Sequence, residues 1–244
     1  MTPPRAQPPA FDVEPLGESA LLLRFGERID AASNARVHAA AGALRAAALS
    51  GLVDIVPAYA SLALHYLPAA WSAGGGTPWR RFADAVRDAL ATAADAPMAA
   101  ATRTIDVPVC YGGEQGPDLD ALATTLGLDP AGVAARHAGG DYRVAMLGFA
   151  PGFPYLLGLD AALHAPRHAR PRTRVPRGSV AIGGAQTGIY PSELPGGWQL
   201  IGRTPLVLFD PLREPACLLA PSDVVRFHAI TPAAFEAIER EAAR

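Results

Sequence analysis

Hydrophobic and polar residues follow two different periods in the first hundred residues of the chain. Between Ser61 and Tyr66 they alternate one by one, which predicts a half-buried strand. After Asp30, and again after Thr77-Pro78, apolar residues recur at the spacing of one helical face, which predicts two helices that begin at capping residues. Together with strands predicted at 11–16, 20–25 and 52–56, these elements predict a small α+β domain over residues 11–97.

The pattern changes in the second half of the chain, which we assign to a second domain over residues 98–244. Two short helices are predicted at 118–126 and 130–138, and no further helical stretch occurs until 232–243. Many short strands with Gly/Pro-rich turns and no helices between them predict a closed or nearly closed β-barrel. The strands predicted in this half are 104–111, 142–149, 179–182, 206–210, 216–220 and 224–228.

Composition and charge narrow the class of protein. Half of the 244 residues are hydrophobic, 18% are charged and the net charge is −2, which predicts a folded protein and argues against nucleic acid or an anionic membrane as partner. Residues 1–10 are proline-rich without the apolar core of a signal peptide, so we expect a disordered lead-in. Cys110 and Cys217 lie in separate apolar runs, which is typical of buried thiols in a reducing compartment. We therefore expect a cytoplasmic protein.

The basic residues exclude several kinds of chemistry. All 21 positively charged side chains are arginine, and the chain contains no lysine. A P-loop, a Schiff base and a biotin carrier each require a lysine, so this chain can provide none of them alone. His164 and His168 lie four residues apart in a Pro-broken segment rather than on a helix, so we predict no metal site. The Gly-x-Ser-x-Gly motif of a hydrolase nucleophile does not occur, and we expect no self-contained hydrolase.

Five arginines lie close together between Arg167 and Arg177, and no Asp or Glu occurs from Ala161 through Ser192. The planar guanidinium fork binds carboxylate or phosphate bidentately, so this density of arginine indicates an anion site. Prolines in the same segment favour an extended loop, which would lose less entropy on binding. The alternative is that these arginines are solvated or pair with acids elsewhere in the fold.

Two further segments carry candidate binding residues. Gly148–Leu156 presents three aromatic rings among prolines and glycines, which indicates either a stacking and docking loop or a hydrophobic corner that closes the barrel. Gly183-Gly184 after a strand either lets backbone N–H groups approach a ligand or is simply a turn. The loops that follow add convergent polar groups that suit a small-molecule pocket. The candidates for the pocket lining or a partner interface are Phe149, Pro151, Gly152, Phe153, Tyr155 and Trp198, and those for the ligand are Arg172, Arg174, Gly183, Gly184, Gln186, Tyr190 and Arg203.

Several long motifs in a fixed order make the chain similar to one known family. They run through Asp106–Gly113, Gly148–Leu156, Pro171–Pro176 and Gly196–Thr204, and Gly17–Gly26 fits the opening strand. With these motifs the chain resembles the B subunit of bacterial 5-oxoprolinase (PxpB), a family also called KipI or allophanate hydrolase subunit 1. The resemblance covers nearly everything after residue 10.

The resemblance implies an N-terminal α+β domain followed by a cyclophilin-like β-barrel. It also implies a stable partner, the KipA-like C subunit, and a third protein, the hydrolase A subunit, which together complete the ATP-dependent opening of 5-oxoproline to L-glutamate. ATP with Mg²⁺ would be bound in the assembled complex, and this chain would be inactive alone. Related modules form the carboxyltransferase part of urea carboxylase, and one relative inhibits a histidine kinase, so both remain alternative functions.

The chemistry of such a reaction gives the candidate residues roles. A phosphorylated lactam oxygen would make 5-oxoproline a better electrophile for water, and charge stabilisation by arginine is the expected contribution of this chain. We hypothesise that Arg172 and Arg174 clamp the substrate carboxylate or the transferring phosphoryl group. The Gly183-Gly184 turn and Gln186 would then shape the pocket.

Overall fold

A computed structural model describes residues 11–73, 76–93 and 103–242, and the chain divides into two compact units, 1–101 and 102–244. The expected lead-in at 1–10 and the boundary expected at residue 97 both lie outside the described residues. Each unit has its own hydrophobic core. None of the helices in the described ranges is long and apolar enough to cross a membrane.

The N-terminal unit is a four-stranded antiparallel sheet covered by two helices. The strands lie in the order β1-β2-β4-β3. Helix α1 begins after Asp30, whose carboxylate accepts the backbone N–H of Ser33 at 2.7 Å, as its capping position predicts. The elements are β1 (Asp12–Pro15), β2 (Ala20–Arg24), α1 (Ala31–Ala47), β3 (Leu52–Pro57), β4 (Ser61–Tyr66), a 3-10 turn (Pro68–Trp71) and α2 (Pro78–Ala93).

The core of this unit is formed by alternate residues of the inner strands and one face of each helix. Leu62, Leu64 and Tyr66 of β4 are buried, as their period of two predicts. Val37 of α1 and Phe82 of α2 are buried against them. The ring of Phe82 stacks on Tyr66 with centroids 4.4 Å apart. The helical and strand periods of the sequence therefore identify the buried face of this unit.

The second unit is built around a closed barrel of seven strands in the order β10-β7-β6-β13-β5-β12-β9. Strands β13 and β5 pair in parallel, and the other barrel pairs are antiparallel. The barrel and the α+β unit confirm the expected fold class. The elements are β5 (Thr104–Tyr111), α3 (Leu119–Leu126), α4 (Pro130–Ala138), β6 (Tyr142–Leu147), β7 (Pro154–Leu157), a 3-10 turn (Ala161–Leu163), β8 (Arg172–Val175), β9 (Ser179–Gly183), β10 (Gln186–Ile189), β11 (Leu194–Gly196), β12 (Gln199–Arg203), β13 (Val224–Ala229) and α5 (Pro232–Ala242).

Strand β9 contributes to two separate hydrophobic clusters, because successive side chains of a strand point to opposite faces. Val180 and Ile182 belong to the main barrel core, which also includes residues of α3 and α4. Ala181 belongs to a second cluster that contains Phe153, Tyr190 and Trp198. Val175 of β8 is part of this second cluster, and β8 pairs with β11 as a separate two-stranded sheet. The aromatic residues thus form a layer on one face of the barrel wall.

Four local predictions differ from the structure. The runs at 206–210 and 216–220 are not regular strands, because they meet only at an isolated bridge between Phe209 and Cys217. The aromatic segment expected to be irregular contributes β7 to the barrel, and the arginine-rich segment expected to be a loop contributes β8. Strand β8 pairs with the later strand β11, and β7 pairs with β10 as well as with its neighbour β6, so partners outside each segment decide its backbone conformation.

Candidate functional site

Asp118, which directly precedes α3, lies at the centre of a hydrogen-bond cluster. Its buried carboxylate accepts hydrogen bonds from Arg172 Nη2 at 2.6 Å, from the backbone N–H of Leu200 at 2.7 Å and from His168 Nε2 at 3.2 Å. Burial acts to raise the pKa of Asp118, but these donors together hold the pKa below its ordinary value. The result is an ionised carboxylate that joins α3 to β8, to β12 and to the segment before β8.

The two arginines expected to clamp an anion each have a carboxylate partner. Arg172 pairs with Asp118 at 2.6 Å, and Arg174 pairs with Glu193 at 2.7 Å. The second pair is exposed, since 76% of the Arg174 side chain is accessible to solvent. Nη1 of Arg172 is buried and has no hydrogen-bond partner among the residues that the structure describes. At these two positions the arginines pair with acids from elsewhere in the chain, and Arg172 keeps one guanidinium nitrogen without a partner in the described part of the chain.

Aromatic rings from three segments meet around Phe153. The ring centroids of Phe149, Tyr155, Tyr190 and Trp198 lie between 4.9 and 5.7 Å from that of Phe153, in tilted or edge-to-face orientations. Such geometries are favourable for aromatic pairs beyond the area that they bury. The structure therefore brings together five of the residues predicted as site candidates.

The Gly148–Leu156 segment divides its aromatic residues between the core and the surface. Phe153 is buried, whereas 60% of Phe149 is exposed. Phe149 has a φ of 69°, which is rarely adopted by a bulky residue and indicates local strain. Gly152 allows the loop to pass Phe209, because a Cβ at Gly152 would lie 2.8 Å from the Phe209 Cβ. Pro151 lies beside it on the exposed side of the turn.

Gly183, the last residue of β9, and Gly184 lead into a hairpin turn in which the backbone groups of Gly184 already have partners. The N–H of Gly184 donates to Ala165 O at 2.7 Å, and Gly184 O accepts the N–H of Ala165 at 3.1 Å. Gly183 lies against Trp198, since a Cβ at Gly183 would meet the indole ring at 2.6 Å. Gln186 begins the next strand opposite Gly183. The N–H of Gly184 is thus not available to an anion, and Gly183 serves close packing.

Arg203 lies in a different environment from the aromatic cluster. Its Nε donates to the backbone oxygen of Arg177 at 2.7 Å, and its guanidinium lies over the ring of Phe235, 5.5 Å from the centroid. It also pairs with Glu239 at 3.4 Å. Both of these side-chain partners belong to α5, so Arg203 holds the last helix against the barrel.

A second buried polar group lies in the barrel and was not predicted. His137 of α4 is fully buried between Tyr111 Oη, 2.8 Å from Nδ1, and Thr187 Oγ1, 2.9 Å from Nε2. Thr187 Oγ1 donates to Ala181 O, so it accepts the Nε2–H of His137, and Nδ1 accepts from Tyr111. Burial lowers the pKa of His137 to about 3. The ring is therefore neutral with a defined tautomer.

Two residues of the site, Asp118 and His168, were not predicted as site residues. Asp118 had the pattern of a helix start, and His168 was considered only as a metal ligand. Among residues 11–73, 76–93 and 103–242, no group of three or more His, Cys, Asp or Glu side chains could hold a metal ion. The hydrogen bond between Asp118 and His168 joins positions 50 residues apart. A local sequence pattern does not contain such a contact.

Comparisons with known proteins agree with the motifs. The carboxyltransferase domain family, subdomain C and D, matches residues 11–219. The B subunit of 5-oxoprolinase from Bacillus subtilis (strain 168) is 42% identical over 239 residues, which cover 95% of this chain and 98% of that protein.

Two solved structures show the same fold within longer chains. The crystal structure of TTHA0988 is 41% identical, with a TM-score of 0.74 over 86% of this chain, which spans 40% of the TTHA0988 chain. The Kluyveromyces lactis urea amidolyase is 20% identical, with a TM-score of 0.75 over 98% of this chain and 16% of its own, and this likeness concerns the fold alone. The family match and the full-length relative together show that the chain belongs to the carboxyltransferase-domain family that includes the B subunit of 5-oxoprolinase.

Proposed function

We propose that this chain is the B subunit of an ATP-dependent 5-oxoprolinase, which opens 5-oxoproline to L-glutamate together with its A and C subunits. The observation that carries the proposal is the 42% identity to the B subunit of the Bacillus subtilis 5-oxoprolinase, which extends over nearly the whole of both chains. A similarity of this extent includes both compact units as well as the aromatic and arginine-rich segments. The chain acts in the cytoplasm, as a part of the complex rather than as an enzyme on its own.

The chemical difficulty of the reaction explains why several subunits would take part. The lactam of 5-oxoproline is a stable amide, and phosphorylation of its oxygen would make the carbonyl a better electrophile for water. This chain has no lysine, and its described residues offer no cluster of metal ligands. We therefore assign the phosphate-binding lysine to the partner proteins. The arginines of this chain would contribute charge stabilisation and substrate binding.

Reconstitution with the partner proteins from the same source tests the proposal. The three proteins are purified separately and mixed with 5-oxoproline and ATP, and phosphate release is measured with this chain present or omitted. We expect 5-oxoproline-dependent release only in the complete set. Release at the same rate without this chain would overturn the proposal. Transfer of a carboxyl group from a biotin carrier by the folded set, without phosphate release from 5-oxoproline, would favour the carboxyltransferase alternative instead.

A further inference from the structure

Arg167 differs from Arg172 and Arg174, because no carboxylate pairs with it among the residues that the structure describes. Its guanidinium lies over the ring of Trp198, 5.6 Å from the centroid. A cation in this position is attracted by the ring face, and its planar fork remains able to bind an anion. Arg167 itself is exposed. Arg167 therefore lies on the aromatic cluster around Phe153, and none of the acids that the structure describes neutralises its charge.

The backbone around Arg167 is fixed on both sides. Before it, Gln199 Nε2 donates to Pro166 O at 2.9 Å, and Ala165 exchanges two hydrogen bonds with Gly184. After it, the N–H of His168 donates to Gly197 O at 2.6 Å. A side chain that extends from such an anchored backbone loses less conformational freedom when it binds a ligand.

The ring beneath Arg167 is also held in place. Trp198 is only 6% exposed, and it packs edge-to-face against Phe153 and Tyr155. Its indole lies directly against Gly183, where any side chain would collide with it. Trp198 is thus a rigid support that orients the guanidinium of Arg167.

The charge of Arg167 acts on the hydroxyl groups of two tyrosines. Burial raises the pKa of Tyr155, and Arg167 opposes this change. Burial likewise raises the pKa of Tyr190, which Arg167 and Arg172 oppose. Both hydroxyls stay protonated at neutral pH. An exposed guanidinium held over a buried aromatic cluster suits a carboxylate, which accepts hydrogen bonds from the planar fork.

We propose that Arg167, supported by Trp198, binds the carboxylate of a small cyclic acid, which in the assembled enzyme is the substrate. This assignment rests on the proposed function for the identity of the acid. Arg172 and Arg174 already pair with carboxylates of this chain. The carboxylate-binding role expected of them is therefore assigned to Arg167 instead.

Calorimetric titration of the full chain tests the site without any need for activity. The probes are 5-oxoproline, pyrrolidin-2-one, which has the same lactam ring without the carboxylate, and inorganic phosphate. We expect 5-oxoproline to bind and pyrrolidin-2-one to bind at least about tenfold more weakly, since a hydrogen bond to a charged group contributes this much. Equal binding of the two lactams, tighter binding of phosphate, or no binding of 5-oxoproline by the folded chain would each overturn the proposal.

Two variants locate the binding. Arg167→Gln keeps much of the length of the side chain and some donors but removes the charge, and it should weaken 5-oxoproline binding at least about tenfold. Arg226→Gln, which changes an exposed arginine of β13, should leave the affinity unchanged. Unchanged affinity in Arg167→Gln would contradict the assignment.

A fluorescence measurement adds a local signal. Trp198 is the only tryptophan after residue 102, so a Trp71→Phe/Trp79→Phe background reports on it alone. In that background 5-oxoproline should change the emission of Trp198, and pyrrolidin-2-one at the same concentration should not. An unchanged emission at saturating 5-oxoproline would contradict binding at this ring. Binding that depends on Arg167 in a complex without 5-oxoprolinase activity would leave this site standing and refute the proposed function alone.

Discussion

At the scale of single residues, the buried carboxylate of Asp118 joins three segments of the second unit. It accepts from β8 through Arg172, from β12 through the N–H of Leu200, and from the segment before β8 through His168. A buried carboxylate that loses a charged donor keeps its desolvation cost without the compensating interaction. The stability of this region therefore depends on Arg172 more than on the exposed Arg174.

We predict that Arg172→Ala lowers the free energy of unfolding by about 1–3 kcal/mol, because it removes a charged donor from Asp118. The matched variant Arg174→Ala should change this free energy by less than about 1 kcal/mol, because the pair with Glu193 is exposed and screened. Urea unfolding followed by circular dichroism measures both. Equal losses in the two variants would show that Asp118 does not have this role.

His137 leads to a prediction about pH. Its pKa falls from 6.5 in the unfolded chain to about 3 in the fold, because burial disfavours the charged ring. Between these values the unfolded state binds more protons, so stability decreases as the pH falls below about 6.5. From pH 7 to pH 5 this group should lower the free energy of unfolding by about 2 kcal/mol. Urea unfolding at a series of pH values measures the slope.

The contribution of His137 is isolated by substitution. His137→Gln removes the titrating ring, so the loss between pH 7 and pH 5 should shrink by about 2 kcal/mol relative to the unmodified protein. His65→Gln, which changes an exposed histidine of β4, serves as the control and should retain the full slope. The same slope in His137→Gln would contradict a buried neutral ring.

At the residue scale, the sequence contains residues that the fold brings together, but it does not contain their charge partners. The aromatic candidates and Trp198 meet around Phe153, and their role in binding stays a prediction. It also shows a stretch without acids, but Glu193 follows that stretch directly and Asp118 lies 54 residues before Arg172. The charge balance of a site depends on neighbours in space, so the pairing of Arg172 and Arg174 could not be derived from the local pattern.

At the scale of elements, the aromatic layer depends on how closely β9 approaches it. Gly183→Ala would place a methyl group 2.6 Å from the indole of Trp198, and the rigid ring has neighbours on its other sides. We expect this variant to lower the free energy of unfolding by about 1–3 kcal/mol through overpacking. Gly184→Ala has open space but a φ of +67°, so it should cost about 1 kcal/mol through backbone strain.

Thermal unfolding followed by Trp198 emission, in the Trp71→Phe/Trp79→Phe background, compares the two glycine variants. The emission of folded Gly183→Ala should also differ from that of the unmodified protein, because the methyl group displaces the ring. Gly184→Ala should keep the emission unchanged. A Gly183→Ala protein with unchanged stability and emission would show that the close approach is not what holds Trp198.

Element predictions were most successful where one face of the element is buried. The strand β4 and the helix α1 have clear periods, and both were predicted close to their observed bounds. The runs at 206–210 and 216–220 are apolar but irregular, because they pair only at Phe209 and Cys217. Short apolar runs do not by themselves determine whether a barrel strand pairs with them.

At the scale of the whole molecule, the proposed function assigns this chain one part of a reaction that its partner proteins complete. The second unit holds a closed barrel with a buried core, whereas the chain has no lysine and the described residues have no cluster of metal ligands. Under the proposed function, this chain contributes binding and charge to the reaction. The family was identifiable from the sequence because several motifs occur in order, whereas fold alone does not determine the reaction.

The most direct test of the central claim is the coupling of glutamate formation to ATP hydrolysis as this chain is titrated into fixed amounts of its two partner proteins. L-Glutamate and phosphate are measured in the same samples. We predict that both products rise together with added chain and reach a plateau at a fixed ratio of this chain to its partners. Glutamate formation that is unchanged across the titration, with all proteins folded and associated, would contradict the assignment of this chain as the B subunit of a 5-oxoprolinase.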